Sequence, residues 1–253
     1  MRYAFAGDRN ISCKILIFLI NKGHQPLALF VSDGVNASHD QELIDIAGLE
    51  GDQIFFGNAF REQVQIEKLK KLKLDYIIGI HFPYIIPKEV LEIPIIGFLN
   101  LHPAYLPFNK GWHTPSWAIL EKSLFGATLH FMSESLDEGE IIHQKKLKSL
   151  ATDTANTLYQ RTLKLEEEVF YEAYESLVSL NPNRVPQLSK GTTHLKRDLH
   201  LIQEINLNEE IEPEAFIDKL RAMTTNKSSE AAYFIKDGKR IGVQVRLFDL
   251  DEE

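Results

Sequence analysis

From Tyr3 to Asn100 the chain alternates short apolar runs with longer stretches of helical periodicity, and this alternation constrains the fold more than any other feature. Such alternation is the signature of a parallel sheet covered by helices. The predicted strands are Tyr3 to Ala6, Leu27 to Val31, Ile54 to Phe56, Tyr76 to Ile80 and Ile95 to Asn100, with a further strand at Thr128 to Met132. Helices are predicted over Ile11 to Asn21, Gln41 to Ala47 and Arg61 to Leu72. The expected class is α/β, with a mostly parallel, Rossmann-like sheet.

Leu158, Leu165, Val169, Ala173 and Leu177 recur at helical spacing, which predicts a long helix from Ala155 to Leu177 packed on the sheet. The run Asn181-Pro182-Asn183-Arg184-Val185-Pro186 breaks that helix and places a domain boundary there. The expected division is a main domain over 1–180 and a small C-terminal α+β region over 181–253. That region reads as a helix around Pro213 to Met223 and two strands, Ala231 to Ile235 and Arg240 to Leu247, joined at the hairpin signal Asp237-Gly238. A tail of roughly sixty residues is marginal alone, so it is expected to dock on the main domain.

With 44% hydrophobic and 25% charged residues, the 253-residue chain is long and apolar enough to bury a real core. A formal net charge of -8 argues against electrostatic capture of nucleic acid, because neutralising phosphates needs a basic face. Cys13 sits in an apolar run, pairs with no base in any motif, and is expected to pack as a small buried side chain. No secretory signal opens the chain, and no apolar run reaches the roughly 18 residues that span a bilayer. The expectation is a cytoplasmic protein without membrane contact.

The chemistry-bearing residues are Asn100-Leu101-His102-Pro103 and, further on, Asp137-Glu138-Gly139. An amide, an imidazole and a carboxylate following strand-like segments are the parts needed to hold an oxyanion and move a proton in acyl transfer. Asn100 and His102 fall at the carboxyl end of a predicted strand, where open α/β sheets bind ligands. Each alone is equally a strand end, a turn or a loop cap. The ordered set points to an enzyme.

The segment from Phe98 to Pro107 (FLNLHPAYLP), then Lys110-Gly111, then Gly126 to Phe131 (GATLHF) and Leu136-Asp137-Glu138-Gly139, resembles the core of the folate-dependent formyltransferases. The resemblance covers 1–180 and implies the formyltransferase fold, a 10-formyltetrahydrofolate donor and an amine acceptor. It carries the family's catalytic Asn, His and Asp onto Asn100, His102 and Asp137. His102 is expected to polarise the formyl oxygen and assist proton movement, Asn100 to donate to the oxyanion, and Asp137 to orient His102 and relay the amine proton through a water. The segment from His81 to Pro87 is similar to the family loop that holds the pterin ring, which makes Phe82, Pro83, Tyr84, Ile85 and Ile86 donor-binding residues. By the same resemblance Glu134, Ser135 and Leu136 form the opposite wall.

Gly7-Asp8-Arg9-Asn10 opens the first helix but is not a dinucleotide fingerprint, and Arg9 and Asn10 are candidates for the acceptor's diphosphate or sugar. A plain helix cap is equally consistent with the same residues. Between the catalytic blocks, Lys110 and Trp112 lie in an aromatic, hydrogen-bonding segment suited to a sugar. The tail is most like that of the nucleotide-sugar N-formyltransferases, and Lys196, Arg197 and Arg221 are its candidates for nucleotide contact. The implied acceptor is a nucleotide-linked amino sugar, in the favoured form a dTDP- or UDP-linked 4-amino-4,6-dideoxy sugar made for a surface glycan. A homodimer through the C-terminal region is the expected partner state. The alternatives are a hydrolase releasing formate from the folate and a noncatalytic module binding nucleotide sugar or folate. His102, His130, His143 and Asp137 lack the spacing of a zinc site, so no metal is expected.

Overall fold

A computed structural model describes residues 1–251. They form two compact units: Met1–His102, Thr128–Gln144 and Glu166–Leu188 make the first, and 103–127, 145–165 and the chain from Ser189 onward make the second. In chain order the elements are β1 (Tyr3–Gly7), α1 (Arg9–Asn21), β2 (Ala28–Val31), α2 (Asp40–Ala47), β3 (Ile54–Phe56), α3 (Gln63–Lys71), β4 (Tyr76–Ile80), α4 (Lys88–Leu91) and β5 (Gly97–His102). Then follow β6 (Lys110–Gly111), α5 (Thr114–Leu120), β7 (Gly126–Phe131), β8 (Ile141–Lys146) and α6 (Ala155–Val178). The last are β9 (Thr193–His194), α7 (Asp198–Leu201), α8 (Pro213–Ala222), β10 (Ala232–Lys236) and β11 (Lys239–Val243).

The first unit is built on a seven-stranded sheet of order β3-β2-β1-β4-β5-β7-β8. The strands β1 to β5 pair in parallel, and β7 joins β5 antiparallel. Every residue of β1 and β4 is buried, which explains why their sequences, YAFAG and YIIGI, are apolar without alternation. On α1 the buried Ile11, Ser12, Cys13, Ile15, Leu16 and Leu19 form one stripe against the sheet. Burial pushes the Cys13 thiol up to about 12, so it packs as an inert side chain. An aromatic cluster organises one side of the core, with Phe30 stacked on Phe55 at 5.0 Å and Phe60 edge-on to Phe30 at 5.7 Å. The strand order reverses between β1 and β4, and the carboxyl ends of strands at such a switch point are where α/β sheets bind ligands.

In the second unit, α5 and α8 share an apolar cluster of Ala118, Ile119, Phe125, Ala155, Leu158 and Ala222. The start of α8 is specified locally: Glu212 caps it by accepting from the Ala215 N–H at 2.8 Å, and Pro213 occupies the first turn. The Asp237-Gly238 turn joins β10 and β11 in an antiparallel hairpin.

Several boundaries differ from the sequence reading. The strand expected at Ile95 to Asn100 is β5, ending at His102, so both Asn100 and His102 lie within a strand. The second hairpin strand stops at Val243 rather than Leu247. The helix expected from Arg61 starts at Gln63, because Ala59–Arg61 form a 3-10 turn. The strand β8 escaped notice because only its first two residues are buried, which leaves no repeating pattern.

Beyond β7 the chain turns sharply back on itself, and the Phe131 N–H donates to the Glu140 carbonyl at 2.9 Å. A Cβ on Gly139 would lie 1.7 Å from the Phe131 carbonyl oxygen, so only glycine closes this turn. The variant Gly139→Ala is expected to lose about 1–3 kcal/mol of stability through overpacking, measurable by urea denaturation.

Candidate active site

In the antiparallel register of β5 and β7, Asn100 stands opposite His130 and His102 opposite Thr128. Asn100 and His102 are two residues apart on one strand, so their side chains leave the same face. The turn after β7 brings the third group. Asp137 adopts a left-handed backbone with φ 53°, a conformation that Asp tolerates better than most residues. Gln187 fixes this turn by donating to the carbonyls of Asp137 at 2.9 Å and Gly139 at 2.8 Å.

The Asp137 carboxylate faces two imidazoles, with Oδ2 3.6 Å from His102 Nε2 and Oδ1 3.7 Å from His130 Nε2. These separations are longer than hydrogen bonds, and contacts in active sites often tighten only when substrate is bound. The two rings meet edge-on with centroids 6.2 Å apart. His102 is only 6% exposed and His130 1%, so the groups sit where water is scarce and their electrostatics are strong.

His130 is the residue that sequence reasoning set aside. Its Nδ1–H donates to the Phe131 carbonyl at 2.8 Å, which leaves the Nε2 lone pair to accept from the Asn100 amide Nδ2 at 3.3 Å. Burial lowers its pKa from 6.5 to about 4, outweighing the opposing pull of Asp137. A neutral His130 therefore fixes the orientation of the Asn100 amide. Its position opposite Asn100, visible only once the strands are paired, was the missing signal.

The segment expected to hold the donor is folded in the same unit. Phe82 packs at 5.8 Å from Phe60 and 5.0 Å from Tyr84, and Ile86 is buried in the core cluster. The Tyr84 hydroxyl donates to Asp33, and Arg61 donates to the Ile85 carbonyl at 2.6 Å. Pro83 and the Ile85 side chain are exposed. Glu134, Ser135 and Leu136 are exposed too, and Lys88 Nζ joins Glu134 to α4 at 2.7 Å.

Also in this unit, Arg9 has a left-handed backbone, φ 73°, and its Nε lies 3.4 Å from the Asp8 carboxylate; Asn10 is exposed. Asp8 in turn accepts from the Ser38 N–H and hydroxyl and from the His39 N–H.

In the second unit the acceptor candidates from two distant stretches meet. The parallel pair β6 and β9 sets Lys110 against Thr193 and Gly111 against His194. Trp112, which is 44% exposed, lies under Lys196 with the ammonium 5.0 Å from its ring centroid. Trp117 stacks on His194 at 3.7 Å, nearly parallel. Trp117 lies on the helix α5. Arg197 is exposed beside Asp198, whereas Arg221 donates to the carbonyls of Asp153 at 2.7 Å and Leu150 at 2.5 Å and pairs with Asp218. Its guanidinium is spent on the packing of its own unit. Among the described residues no group of three or more His, Cys, Asp or Glu side chains is arranged to hold a metal ion.

The family model described as formyl transferase matches residues 35–174, more than half of the chain. The chain belongs to this family. It is a folate-dependent N-formyltransferase with 10-formyltetrahydrofolate as formyl donor. A second model, the N-formyltransferase dimerization C-terminal domain, matches residues 198–248. The dTDP-4-amino-4,6-dideoxyglucose formyltransferase of Mycobacterium tuberculosis is 25% identical to the formyltransferase over 175 residues, covering 69% of this chain and 74% of that one. A methionyl-tRNA formyltransferase of Prochlorococcus marinus is 30% identical over 214 residues, covering 81% of this chain and 65% of that one. The crystal structure of a 4-N formyltransferase from Francisella tularensis superposes with a TM-score of 0.82 at 24% identity, covering 98% of this chain and 99% of that one.

The buried neutral His130 gives the formyltransferase a pH signature. Between pH 6.5 and about 4 the unfolded chain binds a proton at this position that the folded protein refuses, so stability falls as pH drops through that window and levels off below it. The shift corresponds to about 3 kcal/mol. Denaturation midpoints at pH 7.5, 5.5 and 4.5, in about that order of acidity, should show this loss in the wild type and a smaller one in His130→Gln.

Proposed function

We propose that this formyltransferase moves the formyl group of 10-formyltetrahydrofolate to the amine of a nucleotide-linked amino sugar destined for a surface glycan, with Asn100, His102 and Asp137 as its catalytic residues. The observation that carries this reading is the convergence of an amide, an imidazole and a carboxylate in a nearly dry site, with Asp137 placed between His102 and His130. The donor supplies an activated formyl carbon. Asn100, held by His130, presents an amide N–H to the negative charge that develops on the formyl oxygen. His102 polarises the same oxygen and assists proton movement. Asp137 orients His102 and accepts the proton of the attacking amine through a water. Phe82, Pro83, Tyr84, Ile85 and Ile86 on one side, and Glu134, Ser135 and Leu136 on the other, are the proposed donor contacts.

For the acceptor, the M. tuberculosis relative named for a dTDP-4-amino-4,6-dideoxyglucose and the match of the tail to the N-formyltransferase C-terminal domain support a nucleotide-linked sugar. A dTDP- or UDP-linked 4-amino-4,6-dideoxy sugar is the form we favour. Trp112 and Lys196 supply an aromatic face and a cation, which suit a base or sugar ring and a diphosphate. Lys110 and Arg197 extend this set, and in the first unit Arg9 and Asn10 remain candidates for a diphosphate or sugar. The functional division is a catalytic region over 1–180 and a C-terminal region over 181–253. Exposed Ile235, Ile241 and Phe248 in and after the β10–β11 hairpin support a homodimer through that region. No described helix is long and apolar enough to cross a membrane, and we place the reaction in the cytoplasm.

Release of tetrahydrofolate should be followed with a panel of dTDP-, UDP- and GDP-linked amino sugars, with methionyl-tRNA, and with no acceptor. Turnover that requires an amino sugar supports the proposal. Turnover only with the tRNA, or equal turnover in its absence and without any sugar, rejects it. The variants Asn100→Ala, His102→Ala and Asp137→Ala should each lower kcat by roughly a hundred- to thousandfold with unchanged circular dichroism. Trp112→Ala should raise the KM for the sugar more than it lowers kcat, and an unchanged acceptor KM would remove Trp112 from the pocket.

A further inference from the structure

The root of the donor loop contains a buried imidazole–carboxylate hydrogen bond that the proposed chemistry does not use. His81 follows β4 directly and begins the segment that carries Phe82 to Ile86. Its Nε2 lies 2.9 and 3.1 Å from the two carboxylate oxygens of Glu166, a residue of α6 that is 0% exposed. The His81 side chain is itself only 9% exposed, and its backbone is left-handed, φ 52°, a conformation uncommon for residues other than glycine. Just before it, the Ile80 carbonyl accepts from the Asp8 N–H at 3.3 Å and the Ser12 hydroxyl at 2.7 Å. The chain is thus clamped by backbone on one side of the bend and by a carboxylate on the other.

A buried carboxylate and imidazole add little net stability compared with apolar residues of the same size. A sparsely populated backbone conformation persists only where its surroundings over-determine it. Both features occur together at the one point where the donor loop leaves the sheet. We propose that Glu166 is a positioning residue for the folate donor: by gripping His81 it sets the direction in which the loop from Phe82 to Ile86 departs, and so the affinity for 10-formyltetrahydrofolate. This inference rests on the reading of that loop as the donor site. Two further polar tethers of the loop, Tyr84 to Asp33 and Arg61 to the Ile85 carbonyl, act beyond this root.

The test uses the full-length protein and the variants Glu166→Gln, which keeps the volume and removes the charge, His81→Asn, which tolerates the left-handed backbone, and the double variant. Binding of 5-formyltetrahydrofolate is measured by calorimetry, with steady-state KM for donor and acceptor and melting temperature in parallel. Each single variant is expected to weaken folate binding and raise the donor KM by roughly 10- to 100-fold, the loss of a hydrogen bond to a charged group. The acceptor KM and kcat should stay within about twofold. The double variant should lose no more than the worse single one, because both changes break one interaction. If Glu166→Gln fails to fold, the His81→Asn result decides. Folded variants that bind folate as the wild type does, or that lose kcat with an unchanged donor KM, would overturn the inference alone. A wild-type protein that binds no folate would overturn the donor reading and this inference with it.

Discussion

The site is built on one cross-strand contact, the Asn100 amide against the His130 imidazole between β5 and β7. Register decides it: a slip of either strand by one residue would put the two side chains on opposite faces of the sheet. Everything else in the centre is placed relative to this pair. His102 follows Asn100 by one pleat, and Asp137 reaches both rings because the turn after β7 closes tightly on Phe131. Burial that keeps His130 uncharged is the condition for this arrangement, since a protonated ring could not accept the Asn100 N–H.

The parallel part of the fold was legible in the sequence because strands covered on both faces lose their alternation, and β1, β2 and β4 are entirely buried. The elements that escaped notice, among them β8 and the short α4, α5 and α7, are those too brief or too unevenly buried to show a repeating pattern. The side chains proposed as catalytic were legible for a different reason: Asn100, His102 and Asp137 form an ordered motif, and the structure brings the three together. His130 was visible as a residue but not as a participant, because its partner lies thirty positions away and only sheet pairing joins them. Arg221 shows the converse limit. A cation near an anion site in sequence says nothing of the carbonyls of Leu150 and Asp153 that already occupy it.

The second unit supplies chemistry of another kind. The two-residue ladder between β6 and β9 carries Trp112 to Lys196 and Trp117 to His194, so an aromatic and cationic surface is assembled from stretches that the sequence keeps well apart. The acceptor contacts proposed in this unit thus come from short elements, while Asn100, His102 and His130 sit on six-residue strands and Asp137 on the turn beyond.

Because Asn100 and His102 belong to β5 itself, the gap between the two groups is set by the strand repeat, about 7 Å for alternate residues. Peptide geometry acts here as a ruler that no side-chain substitution can lengthen. New acceptors for such an enzyme must then arise by remodelling the surrounding loops, with the reactive span inherited unchanged.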